Sequence, residues 1–180
     1  LLKIALIHYQ FETIHPFLDG NGRTGRLLIT LYLVSKGILK RPILYLSDYL
    51  EKHRNTYYSN MMKVRLENDI ETWFKFFLHG IIDTAEKGVE TFQKILSLQK
   101  EYEECIKALG SRSANALKVI TELYKHPMID ATGVSEITGL GTVSSYKLIK
   151  ELERLEMLKE MTGSKRGRIY VLEKYIRIFD

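Results

Sequence analysis

The stretch HPFLDGNGRTGR, residues 15–26, separates two strongly apolar segments of this 180-residue chain. Residues 1–14 and 27–37 are apolar on nearly every side, a pattern that predicts helices buried in the middle of a domain. Gly37 is a suitable residue for the second helix to end on. The sequence therefore predicts a polar loop held between two buried helices.

The composition of this loop suits a phosphate group. Gly20 and Gly22 allow backbone conformations closed to residues with a Cβ, so that successive N–H groups can converge on an anion. The following helix starts at this loop, and the positive end of its dipole adds to the same pocket. Arg23 and Arg26 are three residues apart on the first turn of that helix and can each form paired hydrogen bonds with phosphate oxygens.

Two further loop residues indicate chemistry at that phosphate. His15 carries an imidazole, the side chain that most often serves as a general base near neutral pH, and can activate an attacking hydroxyl. Asp19 supplies a hard oxygen that suits a magnesium ion bridging phosphates. The loop thus combines a base, a metal ligand and a phosphate cradle.

The rest of the first 110 residues predicts helices and no strand. Ser47 can cap a helix that runs to about Leu66, and Asn68 or Asp69 can cap the next one. A helical stripe over 89–109, with charge on its other side, predicts a surface helix that leads out of the first domain.

A change of character after residue 110 predicts two domains, 1–110 and 111–180. Three residues are placed to begin helices of the second domain: Ser113, Thr132 and Thr142. The last two of these helices are separated by the turn 139–141. The short runs 157–161 and 168–172 then flank a glycine-bearing turn, which predicts a hairpin. Helix, turn, helix and hairpin together indicate a winged-helix domain with a two-stranded wing.

Composition restricts the class of protein further. A single Cys excludes internal disulfides and Cys-based zinc sites and predicts a reducing cytoplasmic location. No apolar run approaches the roughly 20 residues of a membrane span, so we expect no membrane partner. The net charge of +5 permits a polyanionic partner without requiring one.

Residues 15–26 resemble, at every defined position, the signature His-x-Phe-x-Asp/Glu-Gly-Asn-Gly-Arg-x-x-Arg of Fic domains. The segment 42–47, the pair Tyr57-Tyr58 and the region of Trp73 are also similar to that family, and a C-terminal winged helix is common in one large bacterial group of it. The resemblance implies an all-α Fic core followed by a small winged helix-turn-helix domain. It also implies an enzyme that transfers AMP from ATP to a Ser, Thr or Tyr hydroxyl of a target protein and releases pyrophosphate.

The resemblance further implies a role for each loop residue. His15 takes the proton of the target hydroxyl, and Asp19 holds Mg²⁺ on the α and β phosphates. The other phosphate contacts are the anion hole Gly20, Asn21 and Gly22, then Arg23 at the β phosphate and Arg26 at the γ phosphate. Phe17 is expected to point into the core and to fix the loop. Tyr57 and Tyr58 lie where relatives form an adenine pocket, but tyrosines at helical spacing are equally typical of core.

Three alternatives remain open. Doc-like relatives phosphorylate their target because a Lys stands where this chain has Gly22, so AMP transfer is favoured, while AMP removal is known for some relatives. The winged helix offers these contacts to DNA: Ser144, Ser145, Lys147, Lys150, Lys165, Arg166 and Arg168. Residues 111–180 hold 12 Lys or Arg against 9 acidic residues, a net of only +3, which fits dimerisation or target recruitment equally well.

Many Fic enzymes are restrained by a helix with the pattern Ser/Thr, three residues, Glu, then Gly or Asn. No Glu of this chain has that pattern. Because the chain starts at Leu1 without Met and inside a predicted helix, we expect it to be the C-terminal part of a longer protein, with the restraining helix and the target-aligning hairpin upstream. On that interpretation the chain alone binds ATP but modifies targets weakly.

Overall fold

The computed structural model describes residues 1–164 and 167–179. Its elements, in chain order, are α1 (Leu2–Ile14), α2 (Asn21–Ser35), α3 (Ser47–Lys52), α4 (Arg54–Glu67), α5 (Ile70–Lys107), a short 3-10 helix (Gly110–Arg112), α6 (Ser113–Leu123), β1 (Met128–Ile129), α7 (Ala131–Thr138), α8 (Thr142–Arg154), β2 (Lys159–Glu160), β3 (Tyr170–Val171) and α9 (Glu173–Ile176). The chain divides into two compact units, Leu1–Glu90 and Thr91–Asp180. No helix in the described part of the chain has the length and apolar composition needed to cross a membrane.

The first unit is all-helical, and every one of its residues is described. Its core contains Ile4, Ala5, Ile29, Leu33, Leu44, Leu46, Leu50, Tyr57, Trp73, Phe76 and Phe77. Polar ties join distant segments across this core: the Trp73 indole N–H donates to the Ala5 carbonyl at 3.0 Å, and the Thr30 hydroxyl donates to the Leu44 carbonyl at 2.7 Å. The first tie joins α1 to α5, and the second joins α2 to the segment that precedes α3.

The expectation that α1 and α2 are buried on nearly every side is wrong. Each helix buries one face in the core, while its other face carries leucines that are about half exposed: Leu2, Leu6, Leu27 and Leu31. The all-round apolar composition predicts more burial than the two helices have, because only one stripe of each helix packs against the rest of the unit.

Helix boundaries differ from the sequence predictions at two places. The helix predicted from Ser47 to Leu66 is interrupted at His53, where the backbone leaves helical geometry (φ −107°, ψ 31°). The two helices predicted after Asn68 form the single 38-residue α5. Asp69 caps its start as predicted, since its carboxylate accepts the Thr72 backbone N–H at 3.0 Å.

The second unit builds its own core around the last part of α5, with Leu98, Tyr102 and Ile106 buried beside α6 and α8 residues. For this reason the compact units divide at Glu90, ahead of the boundary expected at residue 110. Among the described residues of this unit, three strands form an antiparallel sheet in the order β1-β3-β2. The predicted hairpin corresponds to β2 and β3, whereas the sequence does not predict β1, because its pairing partner β3 lies far along the chain.

Two helix starts in this unit differ in detail from the prediction. Asp130, rather than Thr132, caps α7, because its carboxylate accepts the Gly133 N–H at 2.8 Å. Thr142 is the first residue of α8 and follows Gly141, and its side chain makes no capping hydrogen bond. Helix, strand, two helices and two strands follow one another here, and the assignment of this unit as a winged helix stays a prediction.

Candidate functional site

The loop between α1 and α2 begins and ends in left-handed backbone. His15 closes α1 with φ 50° and ψ 58°, and its N–H donates to the Phe11 carbonyl at 2.9 Å. Gly20 has φ 82°, where a residue without a Cβ is favoured, and its carbonyl accepts the Thr24 N–H at 2.9 Å. The chain thus reverses within a few residues and places the His15 side chain at one end of the loop and the start of α2 at the other.

The side chain of Asn21 holds the loop together. It is buried, its Nδ2 donates to the Phe17 carbonyl at 2.6 Å, and its Oδ1 accepts the Phe17 N–H at 2.9 Å. Phe17 is 52% exposed, and the centroid of its ring lies 6.2 Å from the centroid of the Phe11 ring. The expectation that Phe17 points into the core is therefore wrong. Since its side chain is engaged with Phe17, Asn21 can serve an anion through its backbone N–H.

The first turn of α2 presents donors to the loop. By the geometry of any helix start, the N–H groups of Asn21, Gly22 and Arg23 have no acceptor within the helix. The positive end of the helix dipole lies at the same place. We call these three N–H groups and the positive end of the dipole the anion nest; phosphate binding there, with Gly20, Asn21 and Gly22 as the predicted anion hole, stays a prediction.

Charged side chains surround this nest. The carboxylate of Asp19, 93% exposed, lies 3.4 Å from the guanidinium of the exposed Arg23. Such an exposed pair contributes little to stability and can be exchanged for phosphate contacts. The Arg26 guanidinium lies against Gly22, with Nη1 3.2 Å from the position that a Cβ would take there. A cleft of about 210 Å³ beside the loop is lined by Arg23, Arg26, Leu27, Thr30, Tyr45, Leu46 and Ser47.

His8 is a buried residue that contacts α2 next to the loop, and the sequence does not predict these contacts. Its side chain is 1% exposed, with Nδ1 3.1 Å from the Gly25 carbonyl and Nε2 3.2 Å from the Tyr57 hydroxyl. Because a carbonyl only accepts, Nδ1 carries the proton and Nε2 accepts the Tyr57 hydroxyl proton. Burial lowers the pKa of His8 from 6.5 to about 4, which keeps this imidazole neutral.

The two tyrosines expected at an adenine pocket have different surroundings. Tyr57 is 9% exposed, and its ring packs in the core against Trp73 at 5.7 Å while its hydroxyl bonds to His8. Tyr57 is therefore a core residue, and its side chain is not accessible for contact with a nucleotide. Tyr58 is half exposed, with the Arg54 guanidinium 5.9 Å from its ring, and its role at a nucleotide stays a prediction.

The candidate nucleic-acid contacts of the second unit do not share one environment. Ser144, Lys147 and Lys150 lie on the exposed side of α8. Ser145 is fully buried on the face that carries Leu148, with its hydroxyl 3.3 Å from the Gly141 carbonyl, so its proposed contact with nucleic acid is corrected. The remaining candidates are Arg168, whose Nε donates to the Ser164 carbonyl at 2.8 Å, and Lys165 and Arg166, which lie outside the described residues.

Metal ligands are sparse. Over residues 1–164 and 167–179, no group of three or more His, Cys, Asp or Glu side chains is arranged to hold a metal ion. Asp19 is the carboxylate nearest the anion nest in sequence, and it faces solvent. Binding of Mg²⁺ at Asp19 therefore stays a prediction.

Parts of the chain are similar to known proteins. Residues 1–33 match the profile of the Fic/DOC family. The chain is 29% identical over 140 residues to Protein adenylyltransferase Fic of Aedes aegypti, a match that covers 77% of this chain and 25% of the relative. It is 35% identical over 88 residues to proteins of the same name from Drosophila grimshawi and Drosophila erecta, covering 49% of this chain and 16% of each relative. The chain thus spans a quarter or less of the length of these relatives.

Proposed function

We propose that this chain carries the active-site loop of a Fic-type protein adenylyltransferase, which transfers AMP from ATP to a Ser, Thr or Tyr hydroxyl of a target protein. The observation that carries the proposal is loop 15–26 itself, which has an exposed imidazole at its start and the N–H groups and two arginines of the first turns of α2 at its end. The relatives bearing the name protein adenylyltransferase support it. The expected cytoplasmic location stays a prediction. A place in the bacterial group with a C-terminal winged helix also stays a prediction, since the relatives named above are insect proteins.

Each group of the loop has a step to perform. His15 removes the proton from the target hydroxyl, whose oxygen attacks the α phosphorus of ATP. A new O–P bond forms as the bond between the α phosphorus and its bridging oxygen breaks, and pyrophosphate leaves with the electron pair. The N–H groups that begin at Asn21 stabilise the charge on the α phosphate, while Arg23 and Arg26 hold the β and γ phosphates.

Mg²⁺ fits this loop as a partner of the nucleotide rather than as a resident ion. Asp19 would hold it through one exposed carboxylate, and the phosphates and water would supply the remaining ligands, which is the usual coordination of Mg²⁺ at ATP. The ion neutralises phosphate charge when it is bound. Asp19 gives up its contact with Arg23 at that point and frees this guanidinium for the β phosphate.

Gly22 favours AMP transfer over phosphorylation. A Cβ at this position would lie 3.2 Å from Arg26 Nη1, so a lysine there would both displace Arg26 and fill the space beside the nest. The test uses ATP labelled at the α or the γ phosphorus, with magnesium, the chain and an extract of its own cells. We expect target labelling from the α position alone, abolished by His15→Ala. Labelling from the γ position would instead indicate phosphorylation, and release of AMP from an already modified target would indicate the reverse reaction.

We propose that residues 111–180, within the second unit, form a winged helix-turn-helix that binds double-stranded DNA. The two functional domains proposed are then 1–110 and 111–180. The order of the helices and strands in 111–180 and the exposed Ser144, Lys147 and Lys150 support this function. Binding should weaken as salt rises and should be reduced by the double variant Lys147→Ala with Lys150→Ala, whereas Lys118→Ala on α6 serves as control. No salt-dependent binding, together with a dimer in sedimentation, would assign this unit to self-association.

A further inference from the structure

The side chain of Glu12 lies beside the proposed base. Glu12 is in the last turn of α1, its side chain is 11% exposed, and its Oε2 is 3.9 Å from Nδ1 of His15. Its other oxygen, Oε1, is buried and has no hydrogen-bond partner among the described residues. A buried carboxylate oxygen without a partner destabilises a fold, so its presence here calls for a functional reason.

The fold makes room for this carboxylate at Gly25. A Cβ at Gly25 would overlap Glu12 Oε1 and lie 3.2 Å from both His8 Cε1 and Phe11 Cδ1. The α2 backbone therefore lies close to α1 here, with the Glu12 carboxylate between the two helices. Because Gly25 has no side chain, the space next to it is open to Glu12 Oε1, while Oε2 lies 3.9 Å from His15 Nδ1.

The charges around Glu12 come from three elements. Burial raises the pKa of its carboxyl, while the positive charges of His15 at the end of α1 and Arg26 on α2 lower it. The charge of Glu12 in turn contributes to the raised pKa of Tyr57 on α4. The two groups that favour the ionised carboxylate are thus the proposed base and the arginine proposed for the γ phosphate.

We propose that Glu12 is a positioning residue for His15: its carboxylate accepts the Nδ1 proton of the imidazole and so keeps the Nε2 lone pair available for the target hydroxyl. The inference rests on the proposed function and deepens it. The His15 side chain is largely exposed and so has room to rotate, and we expect the 3.9 Å separation to shorten to hydrogen-bond distance. Such contacts are often long before substrate binds and shorten in the reacting complex.

The first test is independent of catalysis. The ¹⁵N shifts of the imidazole of His15, measured in mildly alkaline buffer and assigned with His15→Asn, report which ring nitrogen carries the proton. We expect the Nδ1-protonated form to dominate in the unchanged chain and to lose that dominance in Glu12→Leu. Glu12→Gln, which keeps an acceptor oxygen and the size of the side chain, should lie between them. Glu71→Gln removes an exposed carboxylate of α5 and should leave the spectrum unchanged.

The second test separates positioning of the base from binding of ATP. Glu12→Leu should lower kcat for AMP transfer by about 10- to 100-fold, the size of loss typical when a metal-binding histidine loses its carboxylate partner, with KM for ATP unchanged. A loss confined to KM would assign Glu12 to Arg26 and overturn the proposal. An unchanged tautomer in both Glu12 variants would also overturn it. A changed tautomer without AMP transfer by any form of the chain would instead contradict the proposed function. If Glu12→Leu unfolds, Glu12→Gln takes its place in both tests.

Discussion

The burial of neutral His8 makes the stability of the first unit depend on pH. The unfolded chain protonates His8 near pH 6.5, whereas the folded chain does so only at about 4. Between these values the unfolded state binds more protons, so the contribution of His8 to stability is present above about 6.5 and is lost as the pH falls toward 4. Because the side chain is 1% exposed, solvent screening does not reduce the effect. The difference between 6.5 and about 4, at about 1.4 kcal/mol for each unit, gives roughly 3 kcal/mol.

The assay is urea unfolding followed through the fluorescence of Trp73, the single tryptophan, whose ring stacks on His8 at 6.2 Å. Unfolding free energies of the unchanged chain and of His8→Asn are measured at neutral pH and at the lower end of this range. The Asn amide can still donate to the Gly25 carbonyl but cannot titrate. We expect the advantage of the unchanged chain over His8→Asn to shrink by roughly 3 kcal/mol on acidification.

Two features of this experiment isolate His8. The raised pKa of Glu12 acts in the opposite direction, since a carboxyl protonated more readily in the folded state gains stability as the pH falls, but it is present in both chains and cancels in the difference. His126→Asn, a change at an exposed histidine of the second unit, should leave the pH dependence at Trp73 unaltered. An advantage of the same size at both pH values would refute a buried neutral His8.

Three further predictions concern the loop. Gly25→Ala should destabilise the first unit by about 1–3 kcal/mol in the same urea assay because its methyl group overlaps a buried carboxylate, whereas Gly88→Ala, with open space around it, should be neutral or stabilising; equal effects would refute the close approach at Gly25. Asn21→Ala removes both hydrogen bonds to the Phe17 backbone and should cost about 1–3 kcal/mol of stability and weaken Mg-ATP binding in calorimetry, an expectation that unchanged values would contradict. Arg23→Ala should weaken that binding by about 1.5–3 kcal/mol relative to Arg41→Ala, and identical titrations would exclude a contact between Arg23 and phosphate.

The local features of this protein follow from its sequence because they depend on residues close together in the chain. Gly20 at a left-handed position, the donors at the start of α2 and the Asp69 cap of α5 each involve a few neighbouring residues. Backbone preference and capping act over that range, so the loop and its place between two helices could be predicted.

The supports of that loop were decided by tertiary structure. His8 forms hydrogen bonds with Tyr57, 49 residues away in the chain, and with Gly25, 17 residues away, and no rule of residue spacing predicts such pairs. The same applies to β1, which exists only because it pairs with β3. Burial and the choice of hydrogen-bond partner depend on residues brought together by the whole fold, whereas propensity and periodicity describe one segment at a time. The sequence therefore predicts which loop residues are candidates to face a substrate, and the folded chain showed in addition that the side chains of His8, Asn21 and Glu12 are buried or nearly buried next to that loop.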